Sequence, residues 1–148
     1  MLKTAAVLFA GLALAGATVP LDAPPLDPAA AIAKAEQARD GQVIGLFRMQ
    51  VAAVGKSRKV TFLNSNTDYR SAGNLTFSLS EAATARLVSA SGLPNVEAIR
   101  GRVVVVAGRV ERRAIVNVKA DGKPMGFNRW SYSVRVSKPE QLVSISAN

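Results

Sequence analysis

The sequence predicts an all-β domain with little helix, and three observations carry that reading. From Gln42 onward, apolar residues recur with a period of two in five separate runs. One strong helix-start signal falls between the third and fourth runs, and Gly, Asn, Asp and Pro cluster between the others. The first run, residues 42–54 (QVIGLFRMQVAAV), reads as one long strand with Val43, Phe47, Met49 and Val51 on one face. Residues 55–59 (GKSRK) read as a basic turn. Val60 and Phe62 against Thr61 and Leu63 make a second strand, apolar on both faces. A polar stretch, residues 64–74, leads to a third, with Leu75, Phe77 and Leu79 inward and Thr76 and Ser78 outward. Ser80 is the expected N-cap of a helix, with Glu81 in the first turn and Gly92 and Pro94 closing it. One more helical turn at NVEAIRG precedes a long fourth strand from Arg102, where Gly108 suggests a bulge or bend. Residues 119–128 then read as a loop turning at Asp121-Gly122, and residues 129–137 as the fifth strand. Five strands with a helix between the third and fourth is the order of an OB-fold, a small Greek-key barrel.

The N-terminal residues MLKTAAVLFAGLALAGA have the form of a bacterial-type secretory signal peptide. Lys3 supplies the positive region, residues 5–14 the apolar core, and two small-residue sites the cleavage point. The mature protein is therefore expected to be exported, to the periplasm or beyond, with no membrane span left after cleavage. Residues 18–28 carry four prolines and read as an extended, mobile linker. Residues 29–41 are rich in helix formers and read as a short leader helix, either docked or frayed. The expected organisation is a signal peptide over residues 1–17, a linker and helix over 18–41, and the barrel over 42–148.

The 148 residues contain neither Cys nor His. Disulfides, thiolate nucleophiles, His-based triads and the usual zinc sites are excluded together. Gly55-Lys56-Ser57 has the ending of a phosphate-binding loop, but Gln50 stands where that loop needs Gly, and the segment joins two strands. Carboxylates are scattered; Asp22 and Asp27, beside the prolines, read as solvated. Asn74-Leu75-Thr76 forms a glycosylation sequon at the start of a strand and reads as chance. No catalytic set, metal site or cofactor is expected, and the protein is read as a non-enzyme.

Charge points elsewhere. The chain has 19 basic and 10 acidic residues, a net charge of +9. Between Arg48 and Lys138 there are 16 basic and 5 acidic residues, so the charge lies on the barrel. Two readings stand at this stage: an ordinary solvated surface, or a surface for an anionic partner.

Several motifs, taken in order, resemble a bacterial exported OB-fold domain associated with thermonuclease-like (staphylococcal-nuclease-type) proteins. They are Phe62-Leu63-Asn64, Asp68-Tyr69-Arg70 and Thr76-Phe77, then Gly101 through Gly108 to Val110-Glu111-Arg112-Arg113, and finally Pro139-Glu140-Gln141-Leu142. The resemblance covers residues 42–145. These residues contain no nuclease domain, so it carries over no nuclease activity, and residues 117–129 are longer than the family pattern. It gives the polar stretch a structural reading, in which Asn64 and Asp68 brace the connection and Tyr69 covers the barrel end.

An OB-fold binds ligands on the face of its second and third strands, between the first-to-second and fourth-to-fifth loops. The first loop offers Lys56, Arg58 and Lys59; the second offers Lys119, Lys123, Phe127, Arg129 and Trp130, with Tyr132 following. Cations would pair with phosphates and rings would stack on bases. The competing reading packs Phe127 and Trp130 onto the barrel and makes the cations an ordinary charged turn. Arg109, Arg112 and Arg113 form a third basic cluster whose side is open. The leading expectation is non-catalytic binding of nucleic acid or another polyanion. The alternative is an envelope protein-interaction or assembly module that docks through the leader helix and the long loop. Oligomeric state is not fixed by the sequence.

Overall fold

The computed structural model describes residues 11–14 and 17–147. The expected signal peptide falls mostly outside them. Of that segment, Gly11–Leu14 forms strand β1, antiparallel to β2 (Ala17–Pro20). The proline-rich stretch is not a free linker. Val19 is buried with Leu46 and Ala107, and Leu26 joins the edge of the sheet. The Leu26 N–H donates to the Leu46 carbonyl, and the Arg48 N–H donates to the Leu26 carbonyl, each at 2.8 Å.

Helix α1 (Pro28–Gln37) starts because Asp27 caps it: Asp27 Oδ1 accepts from the Ala30 N–H at 2.8 Å, and Pro28 suits the first turn. Asp27 is exposed, as expected, and also serves as the helix cap. The leader helix is docked, with Ala31, Ile32 and Ala35 in the main core. The two alanines let its backbone lie close to the sheet.

The expected first strand is split in two. β3 (Gln42–Gln50) and β4 (Ala53–Ser57) are separated by a kink at Val51 and Ala52. The Val51 N–H and carbonyl bond to Arg102 and Gly101, whereas the Ala52 N–H bonds to the Asn64 carbonyl. Within two residues the chain passes from one edge of the sheet to the other. Most of GKSRK is therefore strand. The turn shrinks to Arg58 and Lys59, and Arg58 occupies the left-handed region at φ +53.

β5 (Val60–Asn64) and β6 (Leu75–Leu79) follow as expected, the latter with strictly alternating burial. Ser80 caps α2 (Glu81–Ser91) through its Oγ, and Gly92 ends it at φ +65. β7 (Val103–Val118) runs as expected, whereas β8 (Pro124–Val136) begins five residues before the expected Arg129. The second half of the expected loop, residues 124–128, is strand and pairs with the end of β7 as a ribbon, and residues 119–123 are its turn. Val116, Val118 and Phe127 favour the extended chain, while Pro124 and Gly126 hid it; an edge ribbon tolerates both. β9 (Leu142–Ser146) adds a further strand on β7.

The main sheet runs β3-β7-β8-β6-β5-β4, with β6 and β8 parallel and the other pairs antiparallel. Its two end strands are halves of one segment, so the sheet curls into an open half-barrel around Phe47, Met49, Leu63, Leu75, Phe77, Leu79, Val106 and Val134. The protein is mostly β with two helices; β9 and the β1–β2 hairpin are additions to the expected set.

No bulge interrupts β7 at Gly108. Gly108 pairs in register with Gly45, and a Cβ there would lie 2.6 Å from Val134 Cγ1. The glycine makes room for a core valine. Gly108→Ala is expected to destabilise the fold by about 1–3 kcal/mol, the usual range for overpacking. Urea unfolding checks this, and Val134→Ala in the same chain should couple with it rather than add.

Candidate nucleic-acid interface

The outer face of β5, β6, β8 and β7 is lined by small side chains. Cross-strand pairing sets Phe62 beside Ser78, Thr76 beside Ser133, and Glu111 beside Ser133 on its other flank. Thr76, Ser78, Ser131 and Ser133 make a low hydroxyl floor. Two adjoining hollows, about 390 Å³ and about 540 Å³, share Phe62, Thr76 and Ser133. Arg113 and Arg135 border the first, Lys56 and Tyr69 the second.

The polar stretch that separates β5 from β6 builds one rim. Asn64 Oδ1 accepts from Thr76 Oγ1 (2.7 Å) and Asn74 Nδ2 (3.3 Å), and Asn74 Oδ1 accepts from the Asn66 N–H (3.0 Å). Asp68 Oδ1 accepts from the Arg70 N–H at 2.9 Å, which closes a local turn. Asn64 and Asp68 brace the connection as the sequence implied. Tyr69 does not cover a barrel end: it is 53% exposed, with the Arg70 and Arg129 guanidinium carbons 5.2 and 5.7 Å from its ring centre. The sequence reading assigned it to structure; its neighbour Arg70 was the available hint. Asn74, the sequon residue, is buried within this network.

The predicted binding residues divide into groups. Arg129 is half-buried at the rim beside Tyr69. Lys56 lies 2.7 Å from Glu97, and this ammonium, hydrogen-bonded to the Glu97 carboxylate, holds it below the usual carboxylate range. Lys59 lies 3.9 Å from Glu81. Arg58 and Lys59 face another recess, about 520 Å³, against Thr84 and Val88 of α2. Lys123 sits at the ribbon turn, 3.9 Å from Asp121. Among the described residues Arg58, Arg70, Arg129 and Arg135 form no ion pair.

Phe127 and Trp130 are exposed and in contact, their ring centres 5.3 Å apart. Three residues apart, they would point to opposite faces of a regular strand. A register shift, with Ile115 opposite Arg129 but Val116 opposite Phe127, puts both on one side. The Arg112 guanidinium stacks 4.6 Å from the Trp130 ring. The third basic cluster is split by strand alternation: Arg113 faces the outer hollow beside Glu111, and Arg112 the opposite side.

Tyr132 is not available for stacking. It is 4% exposed, and its hydroxyl donates to Glu36 Oε1 of α1 at 2.9 Å. It alternates with Ser131 and Ser133 and so points into the core. Burial, and then the hydrogen bond to Glu36, push its pKa up to about 12. The folded value lies above the ordinary value near 10, so the native state holds this proton longer than the unfolded chain. The contribution is present below about pH 10 and is lost as pH rises through about 12. In a Tyr69→Phe background, the remaining phenolate absorbance should rise near pH 12. Tyr132→Phe should cost about 1 kcal/mol at neutral pH and flatten the alkaline slope of stability.

Compared with known proteins, the chain matches no family model, no curated protein and no solved structure.

Proposed function

We propose that the half-barrel is an OB-fold and that its outer face binds single-stranded or otherwise flexible nucleic acid, or a polyanion of like shape, without catalysis. Merging β3 and β4 into one strand supports the fold assignment. The path then reads first, second, third, fifth, fourth and back to first, with the third and fifth strands parallel. We further propose that the protein is exported, on the strength of its N-terminal sequence.

The observation that carries the binding reading is the exposed Tyr69 ring, with the Arg70 and Arg129 guanidiniums close beside it, at the edge of a shallow hydroxyl-floored trough. A low floor admits a chain lying flat, the ring offers a π-face to a base, and the arginines reach flanking phosphates. Glu111 is the carboxylate bordering the trough, and Arg113 Nε donates to it at 3.0 Å, which offsets its repulsion of an anion. The alternative docking role for the leader helix loses support, because α1 is committed to this chain's own core.

Fluorescence anisotropy with a labelled oligothymidylate tests the proposal. The logarithm of affinity should fall linearly with the logarithm of salt, by about 0.7 per phosphate contacted. Tyr69→Ala should weaken binding by about 1–3 kcal/mol. The Arg70→Glu, Arg129→Glu double variant should lose most of it while unfolding at the same temperature. Binding that none of these changes alters, or no binding at low salt, sinks the assignment.

A further inference from the structure

The inner face of the sheet continues past the core and is left uncovered by the other described residues. On β8, Val134 and Tyr132 point into the barrel, and Trp130 and Phe127 follow on that side. Opposite them, Ala114, Val116 and Val118 alternate down β7, because both register shifts place the extra residue on β8. Core burial ends at Tyr132, whereas Trp130 is 44% exposed, Phe127 57%, Val118 61% and Met125 62%. A contiguous apolar strip of this kind on a projecting ribbon marks an interaction surface.

Charge narrows the occupant. Residues 112–130 hold five cations and one carboxylate, Asp121. Lys119 and Lys123 flank the strip at the turn, and Arg112, stacked on Trp130, at its base. A second copy would set five cations against five. Nucleic acid would engage the two rings but lay a charged backbone on Val116 and Val118. The surface that satisfies both parts is a bilayer interface with anionic lipids. Aliphatic side chains enter the acyl boundary, tryptophan takes the headgroup level, and Lys and Arg meet the lipid phosphates.

We propose that the β7–β8 ribbon docks its Trp130-Phe127-Val116-Val118 side onto an anionic membrane surface, peripherally and without spanning it. The trough lies on the ribbon's other side, so this docking is independent of whether the trough binds nucleic acid.

Trp130 is the single tryptophan of the chain, which makes it the probe. Its emission should shift to the blue, and the protein should co-sediment, with vesicles of mixed phosphatidylcholine and phosphatidylglycerol. Pure phosphatidylcholine should bind about tenfold or more weakly, and brominated acyl chains should quench the shifted emission. The Val118→Ser, Met125→Ser variant, altered only at exposed positions, should lose vesicle binding at least about tenfold with its melting temperature unchanged. Tyr69→Ala should bind vesicles normally. Three results overturn the proposal: no response to anionic vesicles at low salt; a blue shift that grows with protein concentration without lipid, which assigns the strip to a second copy; or a response to oligonucleotide with none to vesicles.

Discussion

β7 changes partners around Gly108, and the rest of the barrel is registered on that exchange. One edge of β7 pairs with β3 from Val103 to Glu111. The other edge pairs first with β9, at Val103–Val106, and then with β8 from Val110 onward. Between β9 and β8 the second edge has no strand beside it, and its backbone groups still need partners. Gln141 supplies one. Its buried Nε2 donates to the Ala107 and Arg135 carbonyls, each at 3.0 Å, while its Oε1 accepts from the Ser137 and Lys138 N–H groups. One amide therefore ties β7, the end of β8 and the turn before β9. Gly108 opens the inner face at the same level, and Val134 fills the space. Without both devices β7 would either stop at β9 or exclude the core valine of β8.

That exchange also creates the two working surfaces. Once β7 is free of β3, beyond Glu111, it has only β8 as a partner, and the pair runs on as a ribbon with two sides of opposite character. One side extends the barrel's outer face: Arg113, Ile115 and Arg129, beside the serines of the trough. The other extends the inner face, in Arg112, Trp130, Val116 and Val118. Strand alternation alone separates them, so the same long strands present a hydroxyl-floored trough on one side and an apolar strip on the other.

Much of this was legible in the chain. The period-two runs, the Ser80 cap, the Gly92 stop and the inward set Leu75, Phe77 and Leu79 are local signals, and they fixed the strand order and the internal helix. Long-range pairing was not legible. The kink at Val51 and Ala52 exists because Gly101 and Asn64 lie on different edges, which no local pattern states. The ribbon was masked by Pro124, Gly126 and Gly122, residues that usually mark loops. Among the site residues, Arg129 follows from strand alternation, but Tyr132 was misjudged. Its even position makes it a core residue, and parity with Val134 was the available clue. Tyr69 was read as a covering ring because a short polar loop more often serves itself than a ligand, whereas it is exposed beside Arg70 and Arg129. Lys56 and Lys59 stand beside Glu97 and Glu81, partners from helical turns far along the chain that no local pattern shows.

The ribbon shows how an exposed apolar strip can coexist with resistance to self-association. Past Arg112 and Tyr132 both of its outer edges lack strand partners among the described residues, and free edges invite pairing between copies. The sequence counters this with Pro124, which cannot donate to a ladder, and with two register shifts that bend β8. Lysines flank the turn, and the ribbon's net positive charge makes two of them repel. Each device acts on the edges and the charge; none reduces the apolar side. A surface under selection only for solubility would have lost Val118, Met125 and Phe127 at no cost to the core, which ends at Tyr132. Their presence beside edge protection means the strip is guarded from its own kind while staying open to a negatively charged apolar surface.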